Sequence, residues 1–176
     1  MLNKMRDVQD QTFFGYDEEN EDTQANKFLS FKLKKESYCV SIKNVIEIVE
    51  LQKISEVPDM PEFMKGVINL RGKIIPVIDL RLRFKIEPRV YDDRTCIIIS
   101  EIESRQIGFI VDNVEEVVEI PENKIDPSPS FNSKDKRNSF IKGLGRFNEN
   151  VKIILDTQKI LVGGELESIT EQVEKV

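Results

Sequence analysis

The 176-residue chain contains no histidine and no tryptophan. Without histidine it lacks the commonest general base, the commonest metal ligand and the phospho-accepting side chain of a histidine kinase. Two cysteines are present, Cys39 and Cys96. They show no metal-binding or redox spacing, and each sits in an apolar run, so both read as buried free thiols of a reducing compartment. No apolar run approaches the roughly 18 residues that a membrane-spanning helix needs. The N-terminus has no apolar core of a secretory signal, and a cytoplasmic protein is the expectation. Positive charge is also short: 26 Lys and Arg face 32 Asp and Glu, a net charge of -6, which argues against a nucleic-acid partner. No nucleophile elbow and no phosphate-binding loop occurs. Gly143-Leu144-Gly145 is a Gly-x-Gly without its continuation. A catalytic pair of carboxylates is the one enzymatic device left, and sequence cannot pair them. The reading is therefore a non-enzyme without metal or cofactor.

What remains is a soluble balance of 39% hydrophobic and 33% charged residues, enough for one or two small domains with a real core. Residues 1–26 read as an acidic tail, with five carboxylates in the six residues Asp17–Asp22. Such a run repels itself and favours solvation. Phe13, Phe14 and Tyr16 stand out in it as a docking element or a segment that folds back. From Phe28 the pattern turns to short strands: Leu29, Phe31 and Leu33 alternate, and Tyr38–Val40 follows as the return strand of a hairpin. Ile42, Val45, Ile46 and Val49 are spaced for one face of a short helix. Val67–Leu70 and Lys73–Leu80 form another hairpin around Arg71-Gly72. Pro76 places an edge or a bulge in its second strand.

The second half repeats the first. Phe28–Glu50 aligns with Ile97–Glu119 without a gap at an offset of 69 residues, so Val45 falls on Val114 and Ile48 on Val117. Phe63–Val67 resembles Phe140–Leu144, and Ile74–Asp79 resembles Lys152–Asp156, at an offset of about 77 residues. The difference is a Ser-, Pro- and Asn-rich loop, Pro127–Asn138. A unit of about 70 residues is too long for a solenoid repeat. Five or so short strands in such a unit bury an apolar face by closing into a small barrel. The fold expected is mainly β: two barrels at about 27–90 and 91–162, with the first strand free to pair into either. A groove between them suits a helix or an extended peptide. After Gly163-Gly164, Leu166, Ile169 and Val173 are spaced for a C-terminal helix over 163–176, with a frayed tail as the alternative.

Gly66–Arg81, together with Val45–Ile48, Ile107–Val114 and Gly143–Gly145, resembles the signature of the CheW family, in order, across Phe28–Leu161. The resemblance implies two five-stranded SH3-like barrels. It implies an adaptor that couples the cytoplasmic tip of methyl-accepting chemoreceptors to the regulatory CheW-like domain of the histidine kinase CheA in receptor arrays. The domain also occurs within CheA and in CheV. Asp92-Asp93 precedes its strand, whereas the acidic pair of a CheV-type receiver follows one. Two other interaction readings stand beside it: an adaptor of a non-flagellar receptor-kinase pathway, and a generic SH3-like peptide binder. The latter is disfavoured by the scarcity of aromatic residues for a ligand groove.

Arg71 is the first candidate. On its own it reads as a turn arginine with a solvated head, but arginine is also a frequent interface hot spot. The resemblance ties Arg71, Glu47, Val45 and Gly66 to receptor binding, and Val114 and Val117 occupy the equivalent helix of the second copy. By periodicity those two valines fit the core equally well. Asn69 and Gly72 are read as turn-forming residues, and Thr95 and Cys96 as an edge that the resemblance links to partner contacts.

Overall fold

Antiparallel hairpins generate almost all of the architecture. The computed structural model describes residues 24–127 and 140–175. The Phe13–Tyr16 element lies outside them. Of the inserted loop only Pro127 lies inside. The strands are β1 (Lys27–Leu33), β2 (Glu36–Ser41), β3 (Val45–Glu50), β4 (Met64–Leu70), β5 (Lys73–Asp79), β6 (Cys96–Ile102), β7 (Arg105–Val111), β8 (Asn113–Glu119), β9 (Ile125–Pro127), β10 (Ile141–Phe147) and β11 (Asn150–Leu155). A one-turn helix α1 (Leu80–Arg83) follows β5, and α2 (Glu165–Glu174) ends the described chain.

The strands form the two expected barrels. One has five strands in the order β3-β6-β7-β5-β4, the other six in the order β8-β1-β2-β11-β10-β9. The chain does not build them one after the other. The β1–β2 hairpin pairs with β8 and β11 of the second half, while the β6–β7 hairpin pairs with β3 and β5 of the first. Each half thus lends a hairpin to the other's sheet. The repeat is carried into the registers. Phe28 faces Val118 as Ile97 faces Val49, and Leu29 faces Val117 as Ile98 faces Ile48. The bulge at Leu29/Phe31 against β8 recurs where Val45/Glu47 meets β6.

Two expectations are corrected here. The helix read from Ile42–Val49 is a 3-10 turn, Ile42–Asn44, followed by strand β3, and its second copy is strand β8. Both segments are rich in β-branched residues, and an available partner strand, β6 or β1, overrides a helical spacing. Burial alternates along the strand, with Val45, Glu47 and Val49 half-buried and Ile46, Ile48 and Glu50 exposed, so Ile46 does not share a face with Val45 and Val49. The second correction concerns Pro76. β5 is not an edge strand, since it lies between β4 and β7. Proline is tolerated because β7 pairing begins only at Val77, so Pro76 is paired on one side alone, against Val67.

Three apolar clusters hold the fold. Ile68, Ile75, Val77, Ile97, Ile99 and Ile110 fill the five-stranded barrel. Phe28, Cys39, Val118, Ile120 and Ile154 fill the six-stranded one. The largest cluster lies between them, where Leu29, Phe31 and Leu33 of β1 meet Ile78, Ile98 and Phe109, with Leu166 and Ile169 of α2 packed on. Burying a side chain of this size contributes about 1.5–3 kcal/mol. An aromatic stack, Phe31, Tyr38, Phe84 and Phe140, runs through this cluster with centroid separations of 6.0, 5.8 and 4.2 Å.

Candidate functional site

The β4–β5 hairpin turns in two residues, Arg71 and Gly72, with Leu70 paired to Lys73. Both have positive φ, 51° and 85°. That is the combination which matches a two-residue turn to the right-handed strand twist. Asn69 secures the turn by accepting the Gly72 N–H on Oδ1 at 2.9 Å, as expected of it. Arg71 is thereby held at the tip of a stiff hairpin with its side chain 70% exposed.

Its guanidinium donates to the Glu47 carboxylate. Glu47 lies on β3, one outer strand of the five-stranded order, and Arg71 follows β4, the other. The pair therefore links the two ends of the sheet. An ion pair this exposed contributes only about 0–1 kcal/mol to folding. Three exposed isoleucines lie on the segments that carry it: Ile46 and Ile48 beside Glu47, and Ile74 just past the turn. The result is a cation and an anion paired across the two ends of the sheet, with exposed isoleucines next in sequence to Glu47 and on β5.

The other candidates fall in different surroundings. Val45, half-buried, packs against the inter-barrel core, as does its counterpart Val114 on β8. Val117, like its counterpart Ile48, is exposed. The sequence left both valines open between core and surface; Val114 lies on the core side and Val117 on the surface. Gly66 is buried, with φ 146°, and a Cβ there would lie 2.1 Å from the Ser55 carbonyl oxygen. It permits a pair of main-chain hydrogen bonds, Ser55 N–H to Val67 O at 2.9 Å and Val67 N–H to Ser55 O at 2.8 Å. Gly143 makes the same close approach to Asp126 in the second copy. Thr95 is buried and its Oγ1 accepts the Asp92 N–H at 3.0 Å, in the turn leading into β6. Cys96 is half-buried, its thiol 3.2 Å from the Arg94 carbonyl oxygen.

Two buried polar clusters escape a reading of local pattern. Arg81 of α1 grips Asp112 with two hydrogen bonds of 2.6 Å. Burial pushes the Asp112 carboxyl up, but the Arg81 guanidinium and the Lys34 amide more than offset this and hold it below the usual carboxylate range. The same hydrogen bonds raise Arg81 further. In the six-stranded barrel, buried Lys152 donates to Ser30 Oγ at 2.9 Å and to Glu115 Oε2 at 3.2 Å. Glu115 also accepts from Ser30 and Ser37. These donors outweigh the upward push of burial and lower its carboxyl. The signal for this cluster is in the repeat: Lys152 and Ser30 occupy the positions of Ile75 and Ile99, so a polar group stands where the other copy is apolar. Among the described residues, no group of three or more His, Cys, Asp and Glu side chains could hold a metal ion.

Comparison with known proteins joins this geometry to a family. Residues 27–165 match the family model described as CheW-like domain. A chemotaxis protein CheW of Klebsiella aerogenes is 34% identical over 82% of this chain and 87% of its own. One from Thermotoga maritima is 35% identical over 76% of this chain and 85% of its own. The crystal structure of the scaffolding protein TtCheW from Thermoanaerobacter tengcongensis aligns with a TM-score of 0.73 at 39% identity, covering 80% of this chain and 94% of that one. The shared doubled-barrel fold and the extent of these matches show that the chain belongs to the CheW-like domain family.

Proposed function

We propose that this chain is a chemotaxis adaptor that couples methyl-accepting chemoreceptors to the histidine kinase CheA, working in the cytoplasm at receptor arrays. The carrying observation is the Arg71–Glu47 pair. It is presented at a hairpin tip with the Arg71 side chain largely exposed, and contributes little to stability, so its value lies in recognition. In this reading the apolar side of a receptor helical hairpin lies along the surface marked by Val45, Gly66, Val114 and Val117. Apolar contact supplies affinity, and Arg71 with Glu47 fixes the register.

A second surface engages the homologous regulatory domain of the kinase. Its support is Val151, an exposed apolar residue of β11 in the six-stranded barrel that the receptor surface does not use. Thr95 and Cys96, where the chain enters β6, are assigned to this surface as well. Individually such contacts are modest and transient, and arrays bind through many held together. Nothing in the role calls for catalysis. The test is an NMR titration of labelled protein with a receptor-tip fragment and, separately, with the kinase regulatory domain. The reading expects shifts around Arg71, Glu47 and Val114 with the first and on a different face with the second. Shifts with neither partner would refute it.

A further inference from the structure

Asp112 is the single residue between β7, in the five-stranded barrel, and β8, in the six-stranded one. Its N–H donates to the Lys32 carbonyl at 3.1 Å, and its carboxylate accepts the Lys34 N–H at 2.8 Å, both on the β1–β2 hairpin of the six-stranded barrel. From the other barrel comes Arg81, on the helix that follows β5. Its Nε–H reaches Oδ1 and its Nη2–H reaches Oδ2, each at 2.6 Å. Arg81 is itself fixed: Nη1 donates to the Glu87 carbonyl at 2.7 Å, and its own N–H is capped by Asp79, whose second carboxylate oxygen accepts the Tyr91 hydroxyl at 2.6 Å. Arg89 adds a further cation 3.6 Å from Asp112. Arg81 and Asp112 are 8% and 7% exposed.

A buried ion pair is an expensive way to stabilise a fold, because desolvation offsets most of its attraction and apolar residues serve as well or better. The repeat shows that this fold does not require one at such a crossing. By the repeat offsets, the counterparts of Asp112 and Arg81 are Lys43 and Gln158. Both are exposed. Lys43 donates its N–H to Ser41 Oγ, and Gln158 reaches the Glu101 carbonyl at 3.3 Å. The charged clamp thus exists at one of two equivalent crossings.

We propose that Arg81 and Asp112 are positioning residues: the two-pronged clamp fixes the angle between the barrels, and with it the placement of Val114 and Val117 on β8 relative to the Arg71–Glu47 pair. The consequence for docking rests on the adaptor reading above; the consequence for geometry does not.

The test uses the full chain carrying Arg81→Met with Asp112→Asn, which removes both charges and keeps an acceptor for the Lys34 amide. Arg81→Lys, which keeps the charge but loses the fork, is the second variant. Residual dipolar couplings report the orientation of the two barrels, and a titration with a receptor-tip fragment reports docking. The expected result is a changed inter-barrel orientation, with affinity reduced about threefold to thirtyfold while the Arg71 and Gly72 shifts stay at wild-type positions. Wild-type couplings in both variants would overturn the clamp. Changed couplings with unchanged affinity would overturn its role in docking. If the double variant does not fold, Arg81→Lys decides by the same criteria. Should the wild-type chain fail to bind the receptor fragment, the adaptor reading falls, and the couplings still judge the clamp.

Discussion

Gly66→Ala separates packing from recognition at a position that both readings claim. The added Cβ would sit 2.1 Å from the Ser55 carbonyl oxygen, 2.8 Å from its carbon and 2.9 Å from Ile54 Cγ2. The first two are backbone atoms, so the conflict is relieved only by moving the Ser55 segment away from β4. That movement breaks the two main-chain hydrogen bonds with Val67, each about 1 kcal/mol net. A φ of 146° adds strain of about 1–3 kcal/mol for an L residue. The sum is about 3–5 kcal/mol out of the 5–15 that a domain typically has, or a fall in Tm of about 6–20 °C at this size. The control is Gly72→Ala, where φ is also positive but nothing lies within 4 Å of the new Cβ; the cost there is about 1–2 kcal/mol. Thermal and urea melts of the two variants provide the measurement. A Gly66→Ala protein with a wild-type melt and lost receptor binding would refute the packing argument and make Gly66 a contact residue alone.

Three further outcomes follow from the buried polar groups. Lys152→Met should destabilise the chain by about 1–3 kcal/mol, since it strips a donor from the Glu115 carboxylate. Adding Glu115→Gln should recover part of the loss in the same urea melts, because the uncompensated charge is gone. Asp112 and Glu115 are both held below their ordinary values. The folded state therefore binds protons less readily than the unfolded chain, and the stability they contribute is present above about pH 4–4.5 and lost as pH falls through the depressed folded values. Denaturant midpoints measured downward from pH 7 should decline in that range, and less so in Asp112→Asn. Burial pushes the Cys39 thiol up to about 12, against a smaller downward pull from Lys152, whereas Cys96 is half-buried. Thiol labelling of the native chain at neutral pH should modify Cys96 first and reach Cys39 only on unfolding; equal rates would contradict the burial.

The duplication was the most legible feature, because equal spacing of like residues survives without knowledge of contacts. The alternation of Leu29, Phe31 and Leu33 marks their common destination in the inter-barrel core, and the spacing of Leu166, Ile169 and Val173 marks the helix α2. The Arg71-Gly72 turn was legible for a local reason, since a two-residue loop between apolar strands restricts its own chemistry. One feature is misread and another is legible only for the first strand, for the same physical cause. Ile42–Val49 carries a helical spacing of apolar residues, and only its pairing with β6 makes the Val45–Val49 backbone extended. The exchange of hairpins between barrels likewise depends on pairing between residues far apart in sequence. Arg81 and Asp112 stand 31 residues apart, each at the end of an apolar strand, where a charged residue ordinarily meets water. Only the crossing of the chain between barrels buries them together. The Arg71–Glu47 contact is not visible in the sequence either, although each residue is a candidate on its own.

The most direct test of the account is a calorimetric titration of a receptor-tip fragment into the wild-type chain and into Arg71→Glu, with thermal melts of both. The Arg71 side chain is 70% exposed and paired only at the surface, so the melt should change by no more than about 1 kcal/mol. Affinity should fall by about 1–2 kcal/mol or more, roughly fivefold to thirtyfold. A folded variant that binds the fragment as tightly as the wild type would contradict the claim that this hairpin tip recognises the receptor.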